Sequence, residues 1–319
     1  MTPSLDLKAS YDLVKTGAVA LDTVRDGVFV RGSDAGSWLQ GQVSQDLRSL
    51  GVGECAETLV LSPQGKVEAY CRATLLADDV ILLDTDAGYG ERLSERLARF
   101  RIRVKAELER VTIRCLSVRG PDSAGHLEAS GITLGRVVPG TGAGSPAGGF
   151  VLAVPADWPG YSGFDVLSSQ GAGAEVALDV AFGDPAAFEA ARIEAGVPAI
   201  GRELTEKTIP QEAGALVEHT VSFTKGCFTG QELVARLDAR GGNVAWRLRG
   251  VVLASGAQSR AGSPLLAGDR EVGHLTSLSW SPGYAAPVAL AYVRRDVVPP
   301  FAATTAPDAA EAVIRELPL

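Results

Sequence analysis

Thiols and imidazoles are scarce in this chain of 319 residues. The four cysteines, Cys55, Cys71, Cys115 and Cys227, are widely spread without a C-x-x-C pair, and the three histidines, His126, His219 and His274, show no ligand spacing. No built-in metal site is expected, and scattered thiols fit a reducing compartment. Long apolar runs are missing too, none approaching the roughly 18 residues of a membrane helix. The opening MTPSLDLKASYDL carries neither a basic n-region nor an apolar h-region, so the chain is expected to be cytoplasmic and off the membrane. Nor is there an excess of cations: 30 Lys and Arg against 38 Asp and Glu give a formal net charge of −8. That argues against a general nucleic-acid binder, because a phosphate backbone demands a basic footprint. The densest basic stretch, Arg92 to Arg110, interleaves its arginines with Glu95, Glu107 and Glu109 and reads as a solvated face.

What is present points to a folded protein. With 46 % hydrophobic and 21 % charged residues, the chain can bury a proper core in two or three domains. Between Ala18 and Gly32, two short apolar stretches flank Asp26-Gly27, the pattern of a hairpin. SDAGSWLQGQVSQDLRSL opens on Ser33 and Asp34 and places Trp38, Leu39, Val43 and Leu47 along one helical stripe. Strands follow, with turns at Pro63-Gln64-Gly65 and Asp78-Asp79. Leu93, Leu97 and Phe100 recur at helical spacing, Ile102, Val104, Ala106 and Leu108 alternate as in a strand, and VTIRCLSVRG is a further strand. VVPGTGAGSPAGG reads as a loop, since its Gly-x-Gly lacks the helix that a phosphate cradle requires. FVLAVPA and GFDVLSS read as strands, Ala174–Phe182 and Pro185–Ala195 as helices. Beyond Gly241-Gly242 short strands separated by glycine and proline predict a small β-barrel or sandwich. The fold class is α+β followed by all-β.

One stretch carries a candidate chemical group: TKGCFTGQELVARLDARGG, Thr224 to Gly242. Thr229 followed by Glu232 has the spacing of a capping box, with Phe228 and Leu233 as its hydrophobic staple. This places Cys227 just outside a helix N-terminus, with Lys225 two residues away; both settings favour the thiolate. A small buried apolar residue is the alternative that spacing leaves open for a lone cysteine.

Taken together, WLQGQVSQDL at 38–47, RIEAGVPAIGRELTEKTIPQEAGAL at 192–216, FTKGCFTGQELVAR at 223–236 and VGHLTSLSWSP at 272–282 resemble the YgfZ family. These are folate-binding proteins of iron–sulfur cluster maturation and tRNA modification, related in fold to the glycine cleavage T-protein aminomethyltransferase. The resemblance spans nearly the whole chain. It implies a discontinuous first domain of about 1–50 and 116–242, an inserted second domain of about 51–115, and a C-terminal barrel at 243–319. It further implies a central channel for a tetrahydrofolate, with the Glu194 carboxylate accepting from the pterin, Phe188 giving the ring an aromatic face one turn before Arg192, and Cys227 with Lys225 as the reactive pair. The implied partners are folate and iron–sulfur client or assembly proteins. One departure separates the chain from aminomethyltransferases. Where those carry a catalytic aspartate, GKVEAYC has Ala69 and Tyr70, and Glu68 is out of register. Folate-dependent aminomethyl transfer is accordingly the second reading.

Overall fold

The computed structural model describes residues 5–136, 138–139, 150–169 and 178–319. Its first body is built on one eight-stranded sheet. The strands are β1 (Val19–Arg31), β2 (Cys55–Leu61), β3 (Val67–Ala77), β4 (Val80–Asp86), β5 (Glu107–Arg119), β6 (Val138–Pro139), β7 (Phe150–Pro155) and β8 (Gly163–Ser169). They lie in the order β2-β3-β4-β1-β5-β8-β7-β6, each neighbouring pair antiparallel. The stretch 51–115 thus contributes its strands to the same sheet as β1 and β8.

Helices cover this sheet: α1 (Leu7–Thr16), α2 (Ala35–Gln40), α3 (Gly90–Ala98), α4 (Ser123–Ala129) and α5 (Pro185–Ala195), followed by the shorter α6 (Leu216–Thr220) and α7 (Gln231–Asp238). Val28, Val30 and Leu83 of the sheet pack on Trp38 and Leu39 of α2 and on Leu93 and Leu97 of α3. That burial removes the β2–β3–β4–β1 part of one face of the sheet from water, the dominant favourable term in folding. Helix α5 is sharply bounded by its sequence. Asp184 caps it by accepting from the Ala186 amide, Pro185 sits at its first position, and Gly196 ends it in the left-handed conformation, a start and stop that local chemistry dictates.

The second body is a closed barrel of six strands, β9 (Trp246–Leu253), β10 (Pro264–Ala267), β11 (Arg270–Ser281), β12 (Ala286–Arg294), β13 (Phe301–Thr305) and β14 (Glu311–Arg315), ordered β10-β11-β12-β9-β14-β13. Val251, Leu265, Ala289 and Ile314 fill its interior. Closure leaves no free strand edge. Helix α5 packs against both α1 and β11 and joins the two bodies, with its Ile193 buried against Leu248 and Leu290 of the barrel.

Several sequence expectations need correction. Asp26-Gly27 makes no hairpin: β1 runs through it unbroken. A side chain at Gly27 would collide with Ile113, Val111 and Leu82, so the glycine serves packing, while Asp26 accepts from the amides of Gly88 and Gly90 ahead of α3. The helix expected from Ser33 to Leu50 stops at Gln40, although Trp38, Leu39, Val43 and Leu47 are all buried in one core. The alternating strand expected at 102–108 begins only at Glu107. Residues 178–182 are not helical. The rest of the helix expected from Ala174, and most of the loop at 137–149, lie outside the described residues.

Candidate functional site

Strand register builds the site. The face of the sheet turned away from α2 and α3 is apolar in one part, at Phe29, Leu82, Ile113 and Leu167, and carries charge in another. Arg72 of β3 stands opposite Asp84 of β4, Arg25 of β1 opposite Asp86, and Ser117 of β5 opposite Asp165 of β8. Opposite charges directly across an antiparallel pair attract, and here they fuse into a network. Asp84, fully buried, accepts from Arg25 Nε at 2.6 Å and from Arg72 Nε and Nη2, each at 3.0 Å. Asp165 accepts from Arg72 Nη1 at 3.1 Å, Arg119 Nη1 at 3.1 Å and Ser117 Oγ at 2.7 Å. Burial alone would push the Asp165 carboxyl up, but Arg119, Arg72 and Arg25 hold it well below the usual carboxylate range.

Above this floor lies a cavity of about 410 Å³, walled by Arg25, Tyr70, Arg72, Arg119 and Asp165 from the sheet, by Trp158, and by Phe188, Glu189 and Arg192 of α5. The guanidinium of Arg119 lies 4.4 Å from the centre of the Trp158 ring, a cation–π pair. Its Nε is buried without a hydrogen-bond partner among the described residues. A second cavity of about 600 Å³ shares Glu57, Tyr70, Asp157 and Trp158 with the first and continues between α6 and the barrel, past His219, Arg249 and Leu317. The two adjoin and make one channel, which reaches the barrel only in its second part; each is within the size range of small-molecule sites.

Of the residues singled out in the sequence, Phe188 and Arg192 stand on this wall. Arg192 is anchored by Glu189, by Glu203 at 3.2 Å and by Ser277 of the barrel at 2.8 Å, and Phe188 packs on Ala191 and Tyr161. Glu194 does not line the channel, which corrects its expected position: two residues beyond Arg192 on a helix, it points elsewhere. It is buried and accepts from Tyr11 at 2.9 Å, Tyr161 at 2.6 Å, Ser281 at 2.6 Å and Lys15 at 3.1 Å. Its oxygens already have their donors. Glu68, too, is off the wall, paired with Arg96 of α3.

The Lys225–Cys227 segment is also rearranged. Helix α7 begins at Gln231 after Gly230, and Thr229 makes no cap. Instead the Thr229 amide donates to Gly41, and the Gln231 side chain accepts from the Phe228 amide. A side chain at Gly230 would strike the Ser62 carbonyl and Leu61 of the β2–β3 turn, and φ there is +83°, so close packing against that turn selects glycine. Cys227 is exposed while Lys225 is buried. Lys225 Nζ donates to the carbonyls of Gln40, Val43 and Gln45 at 2.7, 2.8 and 2.8 Å, engaging all three of its donors. Burial pushes its pKa down to about 8. Lys225 therefore pins the loop after α2 in place of serving the thiol. The other thiols are disfavoured as nucleophiles: burial pushes Cys115 up to about 12 and raises Cys71 and Cys55 as well.

The charged floor, Trp158, Glu57 and His219 went unread in the sequence. The floor's signal is charge set into apolar strands, as in YCRAT, LLDTD and GFDVL, and only the pairing register brings these together.

Comparison with known proteins agrees with this architecture. Residues 247–314 match the glycine cleavage T-protein C-terminal barrel domain. An aminomethyltransferase of Thermus thermophilus is 28 % identical over 324 residues, covering 96 % of this chain and 88 % of its own. One from Streptomyces avermitilis is 27 % identical over 288 residues, covering 83 % of this chain and 75 % of its own. The crystal structure of glycine cleavage system aminomethyltransferase T from Bartonella henselae superposes with a TM-score of 0.79 at 20 % identity, over 100 % of this chain and 90 % of that one. The chain has the aminomethyltransferase T-protein fold, completed by a closed six-stranded barrel.

Proposed function

We propose that this protein binds a reduced folate, tetrahydrofolate or a substituted form, in the channel, and acts as an accessory protein in the assembly or repair of iron–sulfur clusters for client enzymes, tRNA-modifying enzymes among them. The observation that carries the folate reading is the channel itself: aromatic walls from Trp158, Phe188 and Tyr70 over a floor of paired charges, in a fold whose relatives are aminomethyltransferases. A pterin presents a flat aromatic face, adjacent N–H donors and a carbonyl. Tyr70, Trp158 and Phe188 offer surfaces for the face, Asp165 and Glu189 are wall carboxylates that accept from donors, and the unpartnered Arg119 Nε calls for an acceptor. Bound there, the folate would supply a carrier for one-carbon groups. Glu194 takes a supporting part in this reading: by holding Tyr11, Tyr161 and Ser281 it fixes the back of α5, whose other face is wall.

Cys227 carries the iron–sulfur part of the proposal. It is the exposed thiol of the four, reachable by a client, and would act as a transient cluster ligand or as a nucleophile. Deleting the gene and complementing with Cys227→Ser tests this. Iron–sulfur enzyme activities should stay low with the variant and recover with the wild type; full recovery with the variant would remove the thiol from the mechanism. Because the relatives are named aminomethyltransferases, the second reading has its own assay, formation of methylene-tetrahydrofolate from an aminomethylated carrier protein. Robust turnover would promote it over the first.

A further inference from the structure

Where the two cavities meet, three titratable side chains converge, and the folate site proposed above gives two of them, Glu57 and His219, no part. Glu57 of β2 and Tyr70 of β3 line both cavities, and His219 of α6 lines the second. His219 Nε2 lies 3.3 Å from Glu57 Oε2, and Tyr70, on the neighbouring strand, lines both cavities beside the same carboxylate. The imidazole is half exposed, so it reaches solvent as well as its partner. Its position is imposed by the fold: the Gln45 side chain donates to the His219 carbonyl and Ser44 Oγ to the Thr220 carbonyl, both at 2.6 Å, and Ser44 Oγ accepts from the Leu59 amide. Helix α6 is thereby stapled to the strand that carries Glu57. A carboxylate, an imidazole and a phenol held in contact at a cavity junction are the parts of a proton-transfer site.

We propose that Glu57, His219 and Tyr70 form an acid–base site for the ligand of the channel, with the imidazolium as proton store, the carboxylate as relay and the phenol as the group that orients the carboxylate. It rests on the folate reading for the identity of that ligand. The step is a proton transfer without change of oxidation state. The Nε2–H bond of the imidazolium breaks as Glu57 takes the proton, and the new O–H bond breaks as a basic nitrogen or oxygen of the ligand takes it in turn. Glu57 is left as a carboxylate and His219 as neutral imidazole, which regains a proton from water at its exposed edge. The surroundings favour the charged pair at rest, so the transfer to Glu57 is uphill and proceeds only as a basic atom of the ligand takes the proton onward. The bond to Glu57 raises the His219 pKa against the effect of burial. Burial raises that of Glu57, but His219 and Tyr70 outweigh it and leave it lowered. Glu218 faces the imidazole and Arg72 faces Glu57; Arg25 and Asp86 face Tyr70; Arg249 and Glu316 lie across the second cavity.

Calorimetric titration of tetrahydrofolate under anaerobic conditions tests the proposal. Wild-type affinity should fall about tenfold between roughly pH 6 and pH 8, as the imidazolium is lost. His219→Asn and Glu57→Gln should still bind, with that slope flattened to within about twofold. Variants that keep the wild-type slope would overturn the site. If the wild type binds no tetrahydrofolate at any pH, the folate reading falls, and the dyad is decided by NMR titration of the free protein: a His219 pKa that drops on Glu57→Gln supports the pair, and one that does not move overturns it.

Discussion

Two sets of buried acids hold this molecule together by opposite chemistry. On the back of α5, Glu194 gathers three hydroxyls and one half-exposed lysine. On the cavity face of the sheet, Asp84 and Asp165 gather three guanidinium groups. The first set joins elements far apart in the chain, α1, α5, the turn before β8 and the barrel, and lines neither cavity of the channel. The second is drawn from strands already paired and lies open to the channel. Hydroxyl donors suit a closed structural joint, since neutral groups cost little to bury once bonded. Arginines cost more to desolvate and are tolerable where their partners are exact and a polar ligand can share the site.

The largest effect should come from breaking the charged set. Asp84→Ala would leave Arg25 and Arg72 facing one another in the interior, a loss of about 3–5 kcal/mol, read as a lower urea midpoint with an unchanged slope. Glu194→Gln should cost less, about 1–3 kcal/mol, because the tyrosine hydroxyls can turn to accept from the new amide. The contrast between the sets would collapse if the two substitutions cost the same. Smaller still, but more specific, is the pH response. The folded pKa of Asp165 is lowered, so its contribution is present above its unfolded value of about 3.9 and is lost as pH falls through the folded one. Burial and Glu194 raise the tyrosines, Tyr11 to about 12 and Tyr161 also upward. Their contribution is complete below an unfolded value of about 10 and is lost as pH rises through the folded values. Asp165→Asn should flatten only the acid limb of a stability profile, and Tyr161→Phe only the alkaline limb; movement of both limbs in either variant would show that the two sets are coupled.

Legibility in the sequence followed the range of the interactions. Helix α5 was readable because Asp184, Pro185 and Gly196 bound it locally, and the barrel because its turns are punctuated by glycine and proline. Asp26-Gly27 misled because a glycine admitting the side chains of neighbouring strands has the same local signature as a turn. Thr229 and Glu232 have capping-box spacing, yet tertiary contact of Gly230 with the β2–β3 turn shifts the helix start. Phe188 and Arg192 could be placed from the helix that carries them. Arg72, Asp84, Asp165 and Arg119 could not, since each is a charge among apolar strand residues and acquires its meaning only from register.

The geometry at Glu194 also bears on time. Its hydroxyl donors Tyr11, Tyr161 and Ser281 lie 183, 33 and 87 residues away along the chain. Tyr11 waits on the docking of α1 against α5 and Ser281 on the docking of the barrel, so the ordering cost of those long closures precedes the full reward from the carboxylate. Glu194 is therefore a latch that engages after the folding barrier has been crossed. Substituting it should leave the refolding rate nearly unchanged and show itself as faster unfolding, which makes this residue a determinant of how long the native molecule lasts.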